Sequence, residues 1–267
     1  MIPTPPIPSQ TPAPPWSSWE KWLQSPPGQY VLGWEQQCFN QIVADVFGFH
    51  ALQIGLPQMN ALSENRMPLH ALLLHSHDNP EYAARFSWHL IEGSSAELPF
   101  ANESLDLVVL PHVLEFAADP HQVLREVDRV LRPEGRLVIS GFNPASLWGA
   151  RQYLSRLFGN PYLPRDGQFI GLIRIKDWLQ LLNYSLDRGH FGCYKFPFHG
   201  DAAMARMDFL EPMGNRWWPI FGAVFLVSAI KRHKGIRLIG QAQTVRIPAI
   251  GQLSPAAERK QLKDTYK

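Results

Sequence analysis

At 267 residues the chain is long enough for one α/β domain with appended segments, and 45% hydrophobic against 18% charged residues excludes a disordered polymer. The formal charge of +2 is unevenly spread: from Lys231 onward nine Lys/Arg face only Glu258 and Asp264, which leaves 16 basic and 21 acidic residues before them. Two isolated cysteines, Cys38 and Cys193, make neither a zinc pattern nor a disulfide framework, the first residues lack the basic and apolar regions of a leader, and the longest apolar run (217–230) is shorter than the roughly 18–20 residues of a membrane span, so the expectation is a soluble cytoplasmic protein with no transmembrane segment.

Residues 1–15 are proline-rich and uncharged and are expected to form an extended tail. Trp16, Trp19 and Trp22 follow at helical spacing, so 17–24 reads as a short turn of helix whose aromatic stripe docks on a core. A second helix is expected over 30–47, with Val31, Trp34, Cys38, Ile42 and Val46 on one face. Together 16–48 make an N-terminal helical segment. A main domain is then expected over 49–235 and a basic tail over 236–267.

Within the main domain strands alternate with helices. The strands are 50–55, 70–75, a weaker 87–91, the strongly apolar 105–110, and 136–142. Asp119 reads as an N-cap with Pro120 at the first position of a helix over 120–131, closed by Arg132-Pro133-Glu134-Gly135. Helices around 147–157 and 176–183 precede strands 187–196 and 221–231. This alternation predicts an α/β doubly wound, mostly parallel sheet with a late antiparallel pair.

Residues 97–144 carry a recognisable run: Leu98-Pro99-Phe100, Asp106, His112-Val113-Leu114-Glu115, Asp119-Pro120, Arg132-Pro133-Glu134-Gly135 and the strand from Leu137 to Ser140. It resembles the central third of a type-11 class I methyltransferase dependent on S-adenosylmethionine (SAM). KDWLQLLNY at 176–184 resembles that family's helix before its sixth strand. GFHALQIG, SGFNPASLWGAR and KDWLQLLN are similar to a group of bacterial methyltransferase-like proteins with an eroded glycine loop. The resemblance implies a Rossmann-like sheet of seven strands, helices on both faces, an antiparallel last strand, and SAM as cofactor.

SAM asks three things of such a fold: a glycine turn after the first strand with a helix N-terminus close by, an acid after the second strand for the ribose, and a polar loop after the third for the adenine. The family's Asp/Glu-x-Gly-x-Gly-x-Gly corresponds here to Gln53-Ile54-Gly55-Leu56-Pro57-Gln58-Met59. Gly55 survives, while proline and methionine hold the other glycine positions and Gln53 replaces the acid, so this loop must be rebuilt. After the second strand His75 or Asp78 is available for the ribose; an ordinary polar loop is the alternative. Ser94 and Ser95 stand where the family reads adenine, and Leu110, Pro111 and His112 line the same cleft. Gly55, Leu56, His75, Ser94, Ser95, Leu110 and Pro111 are therefore the expected cofactor contacts.

Methyl transfer needs alignment more than side-chain chemistry. His112, with an ordinary pKa near neutrality, is the candidate base, or else a helix-start residue bonding locally. Phe116, Phe142, Asn143 and Trp148 are the expected acceptor contacts. The insert 197–219, with His199, Asp201, Arg206, Asp208, Trp217 and Trp218, is either a binding lid or packing against the N-terminal tryptophans. A small aromatic or lipid-like acceptor fits this content. A methyltransferase-fold protein that has lost catalysis and serves as a binding or regulatory module is the alternative. His70, His75 and His77 lack a matching acid or cysteine cluster, so no metal is expected. The basic tail is open to two readings, a solvated terminus or a contact with nucleic acid or an anionic membrane surface.

Overall fold

The computed structural model describes residues 15–75, 81, 86, 88–158, 167–196, 206–207 and 209–232. The proline-rich start, the basic tail, Ser76, His77, Asp78, His199, Asp201 and Asp208 lie outside these residues. The chain divides at Lys234 into two units, and everything described belongs to the first.

Helix α1 (Pro15–Leu23) turns into α2 (Pro26–Val43). Ser25 caps α2, and Pro26 and Pro27 occupy its first turn, where a missing N–H costs nothing. The helix therefore starts ahead of the expected position 30, and it ends before 47. Strand β1 (His50–Ile54) runs beside β2 (Leu69–Leu74), which runs beside the edge strand β3 (His89–Glu92). Strand β4 (Leu105–Pro111) leads into the single-turn α3 (Val113–Phe116) and then α4 (Pro120–Val130). Asp119 accepts hydrogen bonds from the N–H groups of His121 and Gln122, the N-cap its position predicts.

Strand β5 (Leu131–Phe142) is followed by α5 (Leu147–Phe158), α6 (Leu172–Leu181), β6 (Tyr184–Gly192), α7 (Leu210–Trp217), a 3₁₀ turn (Pro219–Phe221) and β7 (Val224–Lys231). The start of α6 and the frame of β6 lie three to four residues earlier than the sequence suggests. The sheet has seven strands in the order β3-β2-β1-β4-β5-β7-β6. The first five are parallel, and β7 lies antiparallel between β5 and β6. The expected mixed sheet and antiparallel last strand are present.

Alternation along each strand divides the core in two. One face of the sheet sets Ala51, Leu107, Val109, Val138, Phe142, Val224 and Leu226 against α1 and α2. The other sets Leu52, Ile54, Val108, Leu110, Leu137 and Ile139 against α4 and α6. At the N-terminal edge Asp106 accepts from the N–H groups of Phe49 and His50 and pairs with Arg132 at 3.0 Å. The acid and arginine of the family-like motif thus clamp the starts of β1, β4 and β5.

The alternation of strand and helix is broken once. No helix follows β1: residues 55–68 cross to β2 as a chain of turns. The face a crossover helix would cover is filled by Leu56, Met59, Ala61, Leu62 and Met67 of that segment, all buried with α2. The segment provides core packing without presenting a helix N-terminus to a ligand.

Candidate functional site

A cavity of about 400 Å³ opens at the carboxyl ends of β1, β2, β3 and β4, where open parallel sheets hold ligands. Its size falls within the range of small-molecule sites. Its wall includes Gly55, Leu56, Pro57 and Gln58 after β1, His75 after β2, Ser94, Ser95 and Ala96 after β3, and Pro111, His112 and Phe116 after β4. Trp19 and Glu20 of α1 close one side.

The rebuilt turn depends on Gln53. Its side chain is fully buried, and its amide nitrogen lies 3.1, 3.0 and 3.0 Å from the carbonyl oxygens of Gly55, Leu56 and Met59. Its amide oxygen accepts from Ala61 N at 2.9 Å. The amide both donates and accepts here; an ionised carboxylate in the same place has no donor. Gly55 and Leu56 both take positive φ (67° and 49°), a conformation glycine adopts freely and leucine only when its surroundings hold it there. Leu56 is held by burying its side chain. A Cβ added at Gly55 would meet nothing nearer than Val113 Cγ2 at 3.5 Å, so the space above Gly55 belongs to the cavity. Of the residues at the family's other glycine positions, Met59 turns into the core and Pro57 forms part of the cavity wall.

On the opposite wall His75 Nε2 lies 3.2 Å from Ser95 Oγ. Ser94 Oγ accepts from Ala96 N, and a backbone bridge between Ser94 and Glu97 closes the tight turn after β3.

Below the cavity lies a buried charge cluster. His112 takes positive φ (55°) at the end of β4. Its Nδ1 lies 2.7 Å from Glu115 Oε2, and its Nε2 lies 3.0 Å from Glu35 Oε1 as an ion pair off the ideal hydrogen-bond direction. All three side chains are at most 3% exposed. The other oxygen of Glu115 accepts from Phe142 N, which ties the turn after β4 to the end of β5. Burial works to lower the His112 pKa, but the carboxylates of Glu35 and Glu115 prevail and raise it to about 10. Burial likewise pushes Glu115 up, against the opposing pull of His112. Both ring nitrogens of His112 already face carboxylates, which favours its protonated form. Of the two readings of His112, a base or a helix-start residue bonding locally, this geometry matches the second.

The remaining sequence candidates separate. Leu110 packs among the α4-side core and adds no side chain to the cavity wall. Phe142 is 2% exposed, beneath Trp19 and Trp22, whose stacked rings lie 6.0 and 5.5 Å from it. Asn143 is committed to structure, its amide donating to the carbonyls of Ile220 and Gly222. Trp148 is buried, donates to Lys195 O, and borders a separate apolar cavity of about 240 Å³ beside α7. Among the described residues no cluster of three His, Cys, Asp or Glu could hold a metal ion.

The sequence reading missed Gln53's organising role, Gln58, Trp19 as a cavity wall, and the carboxylates Glu35 and Glu115. Glu35 had a visible signal. It sits on the apolar stripe of α2, four residues after Val31 and three before Cys38, where a charge has no place unless it is paired.

The strand order and the cavity at the ends of β1–β4 define a Rossmann-like methyltransferase fold, and the comparisons with known proteins agree. A methyltransferase-domain family model of type 11 matches residues 70–139. The uncharacterized protein YafS of Escherichia coli K12 is 30% identical over 232 residues, 86% of this chain and 88% of YafS. Demethylmenaquinone methyltransferase of Listeria welshimeri is 35% identical over 92 residues, 34% of this chain and 39% of that protein. A SAM-dependent methyltransferase structure from Thermotoga maritima superposes with a TM-score of 0.58 at 15% identity, covering 81% of this chain and 96% of the other. The chain belongs to one family with YafS, its residues 70–139 match the methyltransferase-domain model, and its fold is that of the class I SAM-dependent methyltransferases. No helix among the described residues is long and apolar enough to cross a membrane.

Proposed function

We propose that the cavity binds SAM and that the protein transfers its methyl group to a small aromatic or lipid-like acceptor. The observation that carries this reading is the convergence of Gly55, His75, Ser95 and Pro111 from four strand ends on one cavity of suitable size. The backbone of Gly55 and Leu56 would face the methionine portion, and Gln58, whose Oε1 has no hydrogen-bond partner among the described residues, supplies an acceptor there. His75 would contact the ribose without the charge of the family's acid. Ser94 and Ser95, with Pro111 opposite, would hold the adenine. Bound SAM supplies an already activated methyl group, so the chain's own task is to bind, orient and exclude water.

His112 enters as a positioning residue. Its ring bridges Glu35 and Glu115 beneath the cavity, and Glu115 in turn ties the turn after β4 to the end of β5. Phe116 and Trp19, 5.0 Å apart, offer the apolar surface for the acceptor. The demethylmenaquinone methyltransferases among the relatives support an acceptor of that type. A second reading, a binding protein without catalysis, is favoured by one feature: no helix N-terminus follows β1. Incubation with methyl-labelled SAM and fractionated bacterial lipids and small aromatics separates the two. Label in an organic-soluble product supports the transferase. SAM binding with no transfer to any fraction supports the binding protein.

A further inference from the structure

The stretch from Phe209 to Phe221 exposes far more apolar surface than a soluble face needs. Trp217, Trp218, Ile220 and Phe221 are 66%, 53%, 64% and 55% exposed, and Phe209 and Met213 extend the same ridge. Scattered exposed hydrophobics are ordinary, but a run of them marks an interaction surface. The ridge is held rigidly from behind. Tyr194 Oη donates to Pro219 O at 2.7 Å, and Asn143 grips the carbonyls of Ile220 and Gly222. Gly214 is fixed because any side chain there would strike the Tyr194 ring. Behind the ridge lies the apolar cavity of about 240 Å³ bounded by Trp148, Leu210 and Trp218.

Among the described residues the free charge beside the ridge is basic. Arg206 and Arg216 are exposed and have no carboxylate partner among the described residues. The carboxylate of Glu211 turns inward to accept from Tyr194 N, and burial raises its pKa. Register fixes the location: Val224, just after the ridge, pairs with Phe142 at the carboxyl end of β5. The ridge therefore stands at the same sheet edge as the cavity at the ends of β1–β4.

We propose that this ridge docks on the surface of an anionic phospholipid bilayer, with Trp217, Trp218, Ile220 and Phe221 entering the headgroup region and Arg206 and Arg216 meeting the phosphates. Tryptophan beside cations is the chemistry of the membrane interface: the ring places an apolar body in the acyl boundary and its N–H in the wet layer. The inference does not depend on SAM binding, because vesicle docking is measured without cofactor.

The test is co-sedimentation of the full chain with vesicles of phosphatidylglycerol and phosphatidylcholine, at about 50 mM and about 500 mM salt, where screening lengths differ severalfold. Binding is expected at low salt, with a fraction surviving at high salt because the aromatic anchor is not electrostatic. Trp217→Ser with Trp218→Ser is expected to weaken binding about tenfold or more, and far-UV circular dichroism should be unchanged because both rings are exposed. Arg216→Glu should weaken binding to anionic vesicles alone. The proposal is overturned if the wild type ignores vesicles, if the double variant binds as the wild type does, or if all binding vanishes at high salt. It is also overturned if sedimentation equilibrium shows a dimer that the tryptophan substitutions dissolve, since a second copy would then be the occupant.

Discussion

Replacing Gln53 with Glu restores the residue type the family pattern carries, yet here it should damage the protein. The amide nitrogen of Gln53 serves three buried carbonyl oxygens at 3.0–3.1 Å and its oxygen serves Ala61 N. An ionised Glu keeps only the last of these bonds. Each buried carbonyl left unsatisfied costs about 1–3 kcal/mol, and an unpaired buried charge costs several more. The chain escapes part of that cost by protonating the new carboxyl, whose pKa is raised by burial and by facing carbonyls. The net loss at pH 8 should be about 3–5 kcal/mol, a large share of a typical 5–15 kcal/mol stability. The sign of the pH dependence follows. A carboxyl with a raised folded-state pKa contributes stability below its unfolded value near 4.3, and that contribution is lost as pH rises through the folded value. Urea unfolding of Gln53→Glu at pH 5 and pH 8 should therefore show a deficit against wild type that grows with pH at unchanged m. A variant as stable as wild type at pH 8, or a deficit independent of pH, would refute the role assigned to Gln53.

Three further outcomes follow from the site. His112, raised from 6.5 to about 10, contributes stability that is full below pH 6.5 and lost as pH climbs through about 10; Glu35→Gln should flatten this alkaline loss by about 2 kcal/mol, roughly half of what such a shift represents, read from thermal melts at pH 7 and 10. Identical alkaline profiles for the two proteins would remove the cluster from the account. Trp19→Ala should cost roughly 3 kcal/mol in urea unfolding, because the ring is 9% exposed and packs on Trp22, Phe116 and Phe142, while leaving SAM affinity within a few-fold. Gly55→Val should abolish SAM binding in calorimetry at a stability cost of about 1–2 kcal/mol, since a side chain at φ 67° both strains the turn and projects into the cavity.

The second half of the sheet was plain in the sequence because its signals are local. Asp119 caps α4, the Val123-Leu124-Val127 stripe gives its buried face, and the apolar run of β4 spans a strand buried on both sides. The defect in the glycine loop was equally legible from Pro57 and Met59. What replaces the loop was not, because Gln53 reaches Met59 and Ala61 through bonds that no periodicity encodes. The early start of α2 was hidden by two prolines that read as loop but suit a first helical turn. Gly55, His75, Ser95 and Pro111 line one cavity because parallel topology brings strand ends together, which with the family resemblance made these positions legible. Phe142 and Trp148 were expected at an open acceptor site; they are covered because α1 lays Trp19 and Trp22 over the sheet edge, a tertiary contact that the tryptophan spacing hinted at without giving its location.

The central claim, that the rebuilt turn still admits the cofactor, is tested most directly by calorimetric titration of the full chain with SAM and with its demethylated product. Loss of one charge-assisted bond to the ribose costs roughly 1.5–3 kcal/mol, or about one to two decades in Kd. The expected result is saturable one-site binding at tens to hundreds of micromolar, absent in Gly55→Val. No heat of binding from wild-type protein at about millimolar SAM, or equal binding by Gly55→Val, would contradict it.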